Sequence, residues 1–588
     1  MNDYIFFIKF ILTAVVSGYY IIIMDTKKIL APLPIGKSFF DRLIEDGSYY
    51  VDKTLFVRDI LDKGANVILC TRPRRFGKTL NQTMLKCFFE DTSRVGGKDT
   101  RALFRGLKIE SAGERYMEHQ GKYPVIFLSF KEAKRDTFER SCAQLKDDVT
   151  AEFCRHGYVR EKMMPGKELE LFERLLSGCG SFGDCAASLK FLCKCLENYY
   201  GRKAIILIDE YDVPLENSWS RGFYDNMVDF IRPLLSSALK DNPHLQFAVM
   251  TGCLRISKES IFTGLNNLEV ISILTKDYSE YFGFTQGEMD SMFAYYGLES
   301  KTQTARDWYN GYLFGNTEVY NPWSSVQVVS SWVTYIDELP KPYWVNSSGN
   351  DIVRTLIDKT DSEVRAELET LMSGGTISKV VHEDITYDEI YNSADNLWNF
   401  MFFTGYLKKT GERLDGVKKV LDLSIPNLEL RYIYETKIQE WFRERIKRKD
   451  FRKFYEAVLS GDAETVQEEL GEFLLDTISY LDGREDFYHG VMLGLLSGLK
   501  NFLSKSNREA GLGRCDIVLR HISGRGKAIL FELKWTPDMR KIEEKCEEAL
   551  KQIEDGKYAE ELERECYTDI VKYGVAFCKK SCEVRRGK

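Results

Sequence analysis

The 588-residue sequence predicts an α/β protein: a three-layer α/β domain around a phosphate-binding loop, a helical and wing-like middle region, and a separate C-terminal α/β domain. Three observations carry this. A short apolar run, Asn66-Val-Ile-Leu-Cys-Thr71, breaks at Arg72 and closes on Gly77-Lys78-Thr79 ahead of a helical stretch over 80–89. A second apolar run, Lys203-Ala-Ile-Ile-Leu-Ile208, ends in Asp209-Glu210-Tyr-Asp212. Far downstream Asp516 opens one β-rich run, and the next carries Glu532-Leu-Lys534. A chain of this length exceeds one core and has room for several domains.

Composition narrows the class. With 44% hydrophobic and 29% charged residues the sequence is that of a globular protein, and a net charge of −7 argues against coating nucleic acid through bulk positive charge. A local basic site stays open. The 14 cysteines are scattered, and apart from Cys193-Lys-Cys195 and the Cys578/Cys582 pair they are not closely spaced, so neither a disulfide framework nor a zinc pattern is readable. Residues 1–24 stand apart. Tyr4 to Met24 is almost entirely apolar, interrupted by Lys9, and nearly long enough to span a bilayer, yet it has no basic flank or cleavage site. It reads either as a single membrane anchor or as untranslated sequence upstream of a true start at Met24. The second is preferred, because no other span exists in the sequence, and it makes the protein cytoplasmic.

The order of elements then follows. Leu33–Thr54 predicts a short helix, a Gly turn and a small strand, with a second helix over 55–62 leading into the phosphate loop. In that loop backbone N–H groups and a helix N-terminus converge, which suits a phosphate; Lys78 would reach the β/γ-phosphates and Thr79 would hold Mg²⁺. The first glycine of the usual G-x-x-x-x-G-K-[ST] pattern is replaced by Arg72. Strands are expected at about 67–71, 125–130, 204–208, 246–251 and 269–274, with helical periodicity over 138–153 and 189–199 between them. At the end of the third strand Asp209 is assigned to the metal and Glu210 to orienting or deprotonating the attacking water. Thr251, ending the fourth, sits where a γ-phosphate sensor belongs. Arg255 just beyond it would meet phosphate in cis, meet it in a neighbouring subunit of a homo-oligomer, or lie in a surface loop.

From about Lys276 the character changes. Trp308–Gly315, Val319–Trp323 and Tyr343–Gly349 carry too many aromatics for exposed loops and are expected to bury a lid against the sheet rather than to stack bases. Phe400–Leu407 and Leu421–Asn427 suggest a helix and a strand of a wing-like unit, and two amphipathic helices flank a solvated charge run at 443–450. After a helix opening at Glu485, a hairpin is expected to run from Ile517 around Ser523-Gly-Arg-Gly526 into Ala528–Lys534. Its Asp516 and Glu532 would hold a divalent metal while Lys534 steadies the attacking water or the phosphate; the alternative is an edge hairpin facing water. Arg508, Arg514, Lys527 and the basic tail 579–588 would supply charge for a phosphate backbone, or the tail is a solvated terminus. The expected ranges are 1–24 for the apolar extension, 30–275 for the phosphate-loop domain, 276–440 for the lid and wing, 441–484 for a helical connector and 485–588 for the last domain.

Leu33-Pro-Ile-Gly36, Tyr50-Val-Asp-Lys-Thr54, Arg72-Pro-Arg-Arg-Phe-Gly-Lys-Thr79, Leu207–Asp212, Ser260–Asn267, Trp308–Tyr312, Tyr320–Trp323 and Ser506-Asn-Arg-Glu509 together resemble the bacterial and archaeal AAA-ATPase-like proteins with a C-terminal PD-(D/E)XK nuclease-like domain. The likeness runs from Leu33 to about Phe577. It implies an AAA-like phosphate-loop fold of the ASCE class, ATP and Mg²⁺ as cofactors, and a phosphate loop in which Arg72 is characteristic and Arg74, Arg75 and Gly77 join Lys78 and Thr79 around the nucleotide. It also supports Met24 as the start. For the C-terminal domain it implies a restriction-endonuclease-like core in which Glu485, Asp516, Glu532 and Lys534 match the nuclease positions, with DNA or RNA as partner; Gln552 and Tyr558 are a looser match. Two functions follow from it: an ATPase joined to a metal-dependent nuclease, or a nucleotide-gated sensor whose nuclease-like domain binds without cutting.

Overall fold

Val67–Thr71 (β1) is apolar on both faces and buried throughout, as a strand inside a parallel sheet must be. Val125–Ser129 (β2), Ala204–Asp209 (β3), Leu245–Gly252 (β4) and Leu268–Ile271 (β5) join it in the order β2-β3-β4-β1-β5, every pair parallel. This computed structural model describes residues 15–16, 19–20, 30–255, 261–262, 266–344, 362–383, 387–390, 393–448, 450–475, 485–510 and 513–587. They fall into two compact units, 1–348 with 378–431, and 349–377 with 432–588. The expected break after 275 therefore lies inside the first unit, and the one at 440/441 inside the helix Leu428–Arg448.

In the first unit Lys78–Phe89 (α1), Phe138–Arg155 and Phe182–Tyr200 pack on the sheet. The register pairs Cys70 with Thr251 and Ser129 with Asp209, so the strand ends that carry the loop, the acids and the threonine share one edge. Val213–Arg221 (α2) follows the acidic strand. Beyond the sheet come Gln286–Tyr296 (α3), the hairpin of Tyr312–Phe314 (β6) and Thr317–Val319 (β7), and Pro322–Thr334 (α4), which starts on a proline behind the Asn321 cap. A three-stranded sheet of Ile377–Val380, Lys418–Ser424 and Lys408–Asp415 makes the wing.

Two expectations change here. The small strand foreseen near Tyr49-Tyr50-Val51 joins no sheet. Lys53 instead anchors that stretch through an ion pair with Glu288 at 2.6 Å and a bond to the Glu280 carbonyl at 2.6 Å, while Tyr50 packs edge-on against Phe40. The fifth strand ends at Ile271 rather than 274, because Ser272 to Thr275 closes a turn. At the N-terminus Val15–Val16 pairs antiparallel with Tyr19–Tyr20; residues 1–14, 17–18 and 21–29, on which the anchor reading rests, lie outside the described ones. No helix among the described residues is long and apolar enough to cross a membrane.

The second unit is built on a sheet of Phe502–Ala510 (β8), Gly513–His521 (β9), Gly526–Trp535 (β10), Tyr567–Cys578 (β11) and Ser581–Arg586 (β12), in that order. Only β10 and β11 run parallel, joined by Ile542–Asp555 (α5) and Tyr558–Arg564 (α6). Cys515, Val518, Ala528 and Leu530 pack against Ile553, Tyr558 and Leu562 to form its core. Strand β8 was not foreseen. Its Ser-Lys-Ser-Asn-Arg-Glu stretch lacks apolar alternation because it is an edge strand, where charge deters further pairing. The basic tail is also a strand rather than a solvated terminus: β12 closes the other edge, and Arg585 is bound to Glu543 at 2.9 Å, Glu547 at 2.6 Å and Glu583 at 3.1 Å.

Two candidate sites, a phosphate loop and an acidic hairpin

Arg72 extends the β1 ladder, its N–H donating to the Gly252 carbonyl at 3.0 Å, and its side chain turns inward to 0% exposure. Nη1 donates to the carbonyls of Thr71 and Ile271 at 2.8 Å each, and the guanidinium lies 5.1 Å from the ring centres of both Phe282 and Phe314. Burial lowers its pKa to about 10, which leaves it charged at neutral pH. The arginine that replaces the usual glycine is thus a core residue that ties β1 to β5. Gly77 caps α1 at φ 81°, a left-handed position that favours glycine.

Lys78 is 6% exposed, and its ammonium donates to the carbonyls of Arg72 and Pro73 at 2.9 Å each, with the Cys253 sulfur at 3.6 Å. Thr79 donates to Asp209 Oδ2 at 2.6 Å and Thr251 to Asp209 Oδ1 at 2.5 Å, so both oxygens of this buried carboxylate are oriented by hydroxyls. Glu210 stands at φ 54°, which turns it out of the strand alternation. Burial, then the charge of Asp209, raises its pKa, opposed by Lys78. The hard oxygens of Thr79 and Asp209 beside Lys78 suit Mg²⁺ with a phosphate, so the residues present fit the cofactor.

The flanking arginines have partners of their own. Arg74 pairs with Glu216 of α2 at 2.5 Å, and Arg75 lies 4.5 Å over the Trp323 ring at the start of α4. Phe76 packs on Tyr312 at 4.9 Å and Phe314 at 5.0 Å, and Pro73 lies so close to Gly405 that a Cβ there would approach it to 2.9 Å. The aromatic segments of the middle region therefore pack against the loop. Arg74, Arg75, Gly77, Lys78, Thr79, Asp209 and Glu210 all line one cleft of about 1130 Å³. Two predicted residues do not. Thr251 is buried behind Asp209, and Arg255 lines a separate small void with Ser272 and Glu383.

In the second unit Ile517 pairs with Phe531, which makes Asp516 and Glu532 the next neighbours across the hairpin. The Asp516 N–H approaches Glu532 Oε2 at 3.4 Å, the Leu533 N–H donates to Asp516 Oδ2 at 2.8 Å, and Lys534 donates to Glu532 Oε1 at 3.3 Å. Glu532 is 1% exposed; burial first, and the Asp516 charge second, push its pKa up to about 7 against the pull of Lys534. A buried carboxylate beside a second one is a place for a divalent cation. Among the described residues, however, no group of three or more His, Cys, Asp or Glu is assembled to hold one. Glu485 opens the helix Glu485–Leu496, and its side chain lies outside the described ones.

One helical turn after Glu485, on the same face, His489 donates through Nε2 to the Asp516 carbonyl at 3.0 Å. Sequence reasoning passed over it, although the four-residue spacing from Glu485 was there to be read. Tyr558 is hydrogen-bonded to Gln552 and feels the charges of Glu532 and Asp516, which places both loosely matched residues near the hairpin. Of the expected phosphate-binding cations, Lys527 is committed to Asp569 at 2.7 Å and the Leu459 carbonyl at 2.8 Å, and the side chains of Arg508 and Arg514 lie outside the described ones.

Comparison with known proteins agrees with this division. Residues 34–262 match the family described as "Predicted AAA-ATPase", and residues 483–586 match the PD-(D/E)XK nuclease superfamily. A protein of Azotobacter chroococcum mcd 1, described as an uncharacterized protein in the vnfD 5′ region, is 27% identical over 405 residues, covering 68% of each chain.

Proposed function

We propose that the first unit, whose residues 34–262 match a predicted AAA-ATPase family, binds and hydrolyses Mg-ATP, and that the second, whose residues 483–586 match the PD-(D/E)XK nuclease superfamily, cleaves nucleic acid with a divalent metal. The observation that supports the first part is the convergence of Lys78, Thr79, Asp209 and Glu210 on one cleft, with Thr79 and Thr251 fixing the two Asp209 oxygens. In this reading Lys78 would leave the loop carbonyls for the β/γ-phosphates, and Thr79 and Asp209 would hold Mg²⁺, whose charge would offset that of the phosphates. Glu210, whose pKa is raised towards the working range of a general base, orients and deprotonates the attacking water. Calorimetry of Lys78→Ala tests the site: ATP binding is expected to be lost, and parental affinity would refute it.

For the second unit, Asp516 and Glu532, with Glu485, would hold the metal, and Lys534 would steady the attacked phosphate. Incubation with DNA and RNA, Mg²⁺ or Mn²⁺, and with or without ATP, beside Asp516→Ala, tests this. Cleavage that needs metal and vanishes in the variant supports a nuclease. The alternative reading is a nucleotide-gated sensor that binds nucleic acid without cutting it. Binding without cleavage under every nucleotide condition would select it.

A further inference from the structure

The two residues after the acidic pair turn away from the cleft onto the loop that follows β4. The Tyr211 N–H donates to the Thr251 carbonyl at 3.1 Å, and the Tyr211 hydroxyl donates to the Leu254 carbonyl at 2.6 Å. Asp212 Oδ2 accepts the N–H groups of Cys253 at 2.7 Å and Leu254 at 3.1 Å. Both side chains are buried, Tyr211 at 0% and Asp212 at 2% exposure. The clamp is tight enough to dictate its neighbour: a Cβ on Gly252 would stand 2.5 Å from the Tyr211 ring and 2.9 Å from Asp212 Oδ1.

Asp212 Oδ1 has no hydrogen-bond partner among the described residues, so one oxygen of this buried carboxyl group is left unsatisfied while the other holds the loop. What the tie holds is specific: Thr251, which orients Asp209, and Cys253, which meets the Lys78 ammonium, lie on the clamped segment, and the Lys78 charge acts on Asp212.

We propose that Tyr211 and Asp212 are positioning residues for nucleotide turnover, locking the Thr251–Leu254 segment to the end of the acidic strand so that Asp209 and Lys78 keep their geometry during the reaction. The inference rests on reading the first unit as an ATPase. Through preorganisation it acts on the chemical step more than on binding.

Steady-state ATP hydrolysis and calorimetry are measured on the full chain for the parent, Lys78→Ala, Asp212→Ala, Asp212→Asn and Tyr211→Phe. For Asp212→Ala, kcat is expected to fall about 10- to 100-fold with ATP affinity and KM within about threefold of the parent. Asp212→Asn, which keeps an acceptor for the two N–H groups, recovers most of the loss, and Tyr211→Phe loses several-fold in kcat at unchanged KM. Parental kcat in Asp212→Ala overturns the inference, as does a loss of affinity as large as the loss of kcat. If Asp212→Ala does not fold, Tyr211→Phe decides: reduced kcat at a parental melting temperature supports the clamp, and parental kcat overturns it. A parent that neither binds nor hydrolyses ATP, indistinguishable from Lys78→Ala, removes the ATPase reading and this inference with it, whereas an active parent matched by Asp212→Ala removes the inference alone.

Discussion

The phosphate loop and the acidic hairpin both set carboxylates beside a lysine, yet they hold them in opposite ways. In the first unit Asp209 receives two neutral hydroxyls, at 2.6 and 2.5 Å, and Lys78 is occupied by the carbonyls of its own loop. In the second, Glu532 faces Asp516 across a strand pair and has Lys534 at 3.3 Å as its charge partner. Neutral donors orient a carboxylate without cancelling it. A like charge in a buried place leaves an electrostatic debt that only a cation or a proton can settle. The Asp209 carboxylate is therefore oriented by its own neighbours, whereas the Glu532–Asp516 pair carries a repulsion that a cation or a proton would relieve.

The largest expected effects separate the two at once. Glu532→Gln removes a ligand and the repulsion together, so Mn²⁺ affinity measured by calorimetry should fall on the order of 100-fold, and cleavage with it. Glu210→Gln should leave ATP affinity within about threefold while turnover falls roughly 100- to 1000-fold, because that carboxylate is asked to move a proton and not to hold the nucleotide. Equal losses of binding in both variants would erase the contrast.

Next in size is the hydroxyl pair. Thr251→Val leaves Asp209 Oδ1 buried without its donor, at a cost of about 1–3 kcal/mol read from urea unfolding, and should lower turnover about tenfold. Thr79→Val faces the cleft, so it should weaken Mg-ATP more than metal-free ATP. An unchanged Mg²⁺ dependence would mean that Thr79 only supports Asp209.

The pH dependence is smaller and has a definite sign. Glu532 in the folded chain titrates at about 7, above its ordinary 4.5, so the unfolded chain loses its proton first as pH rises. Its contribution to stability therefore declines from about pH 4.5 to about 7 and does not return above that. Buried Glu429, which accepts from Ser324 and the Trp344 N–H, is raised to about 7 as well and adds a parallel decline from the first unit. The difference between parent and Glu532→Gln melting curves across pH isolates the hairpin. Mn²⁺ at pH 7.5 should raise the parent curve and leave the variant where it is.

The contrast also marks what could be read without coordinates. Apolar runs that break at Arg72 ahead of Gly77-Lys78-Thr79, or close on Asp209, announce buried strands and their chemistry in neighbouring residues, so the parallel sheet and the hairpin with Asp516, Glu532 and Lys534 were legible. Periodicity fails where a strand is an edge, as in β8, because a strand paired on one side only need not carry the apolar run of a central one. It is silent again on Arg72, which stands in the place of the loop pattern's first glycine and, between Phe282 and Phe314, is part of the core. Tyr211 and Asp212 look like more of the acidic turn; only the path of the chain after Thr251 shows what they grip.

The smallest expected effect tests the comparison at its least guarded point. Arg74 and Glu216 are 35% and 38% exposed, and a pair in that setting contributes about 0–1 kcal/mol after screening, so Glu216→Gln should barely move the melting temperature. Lys534 has a partner that is 1% exposed, and removing it as Lys534→Met should raise the Glu532 pKa further and shift the pH-dependent decline upward. ATP affinity in Glu216→Gln should stay within about threefold, since the cleft already holds Lys78 and Arg75. A tenfold gain in affinity would carry a different meaning. Glu216 would then be withholding Arg74 from the nucleotide, and the first site, like the second, would keep a charge in reserve for its ligand.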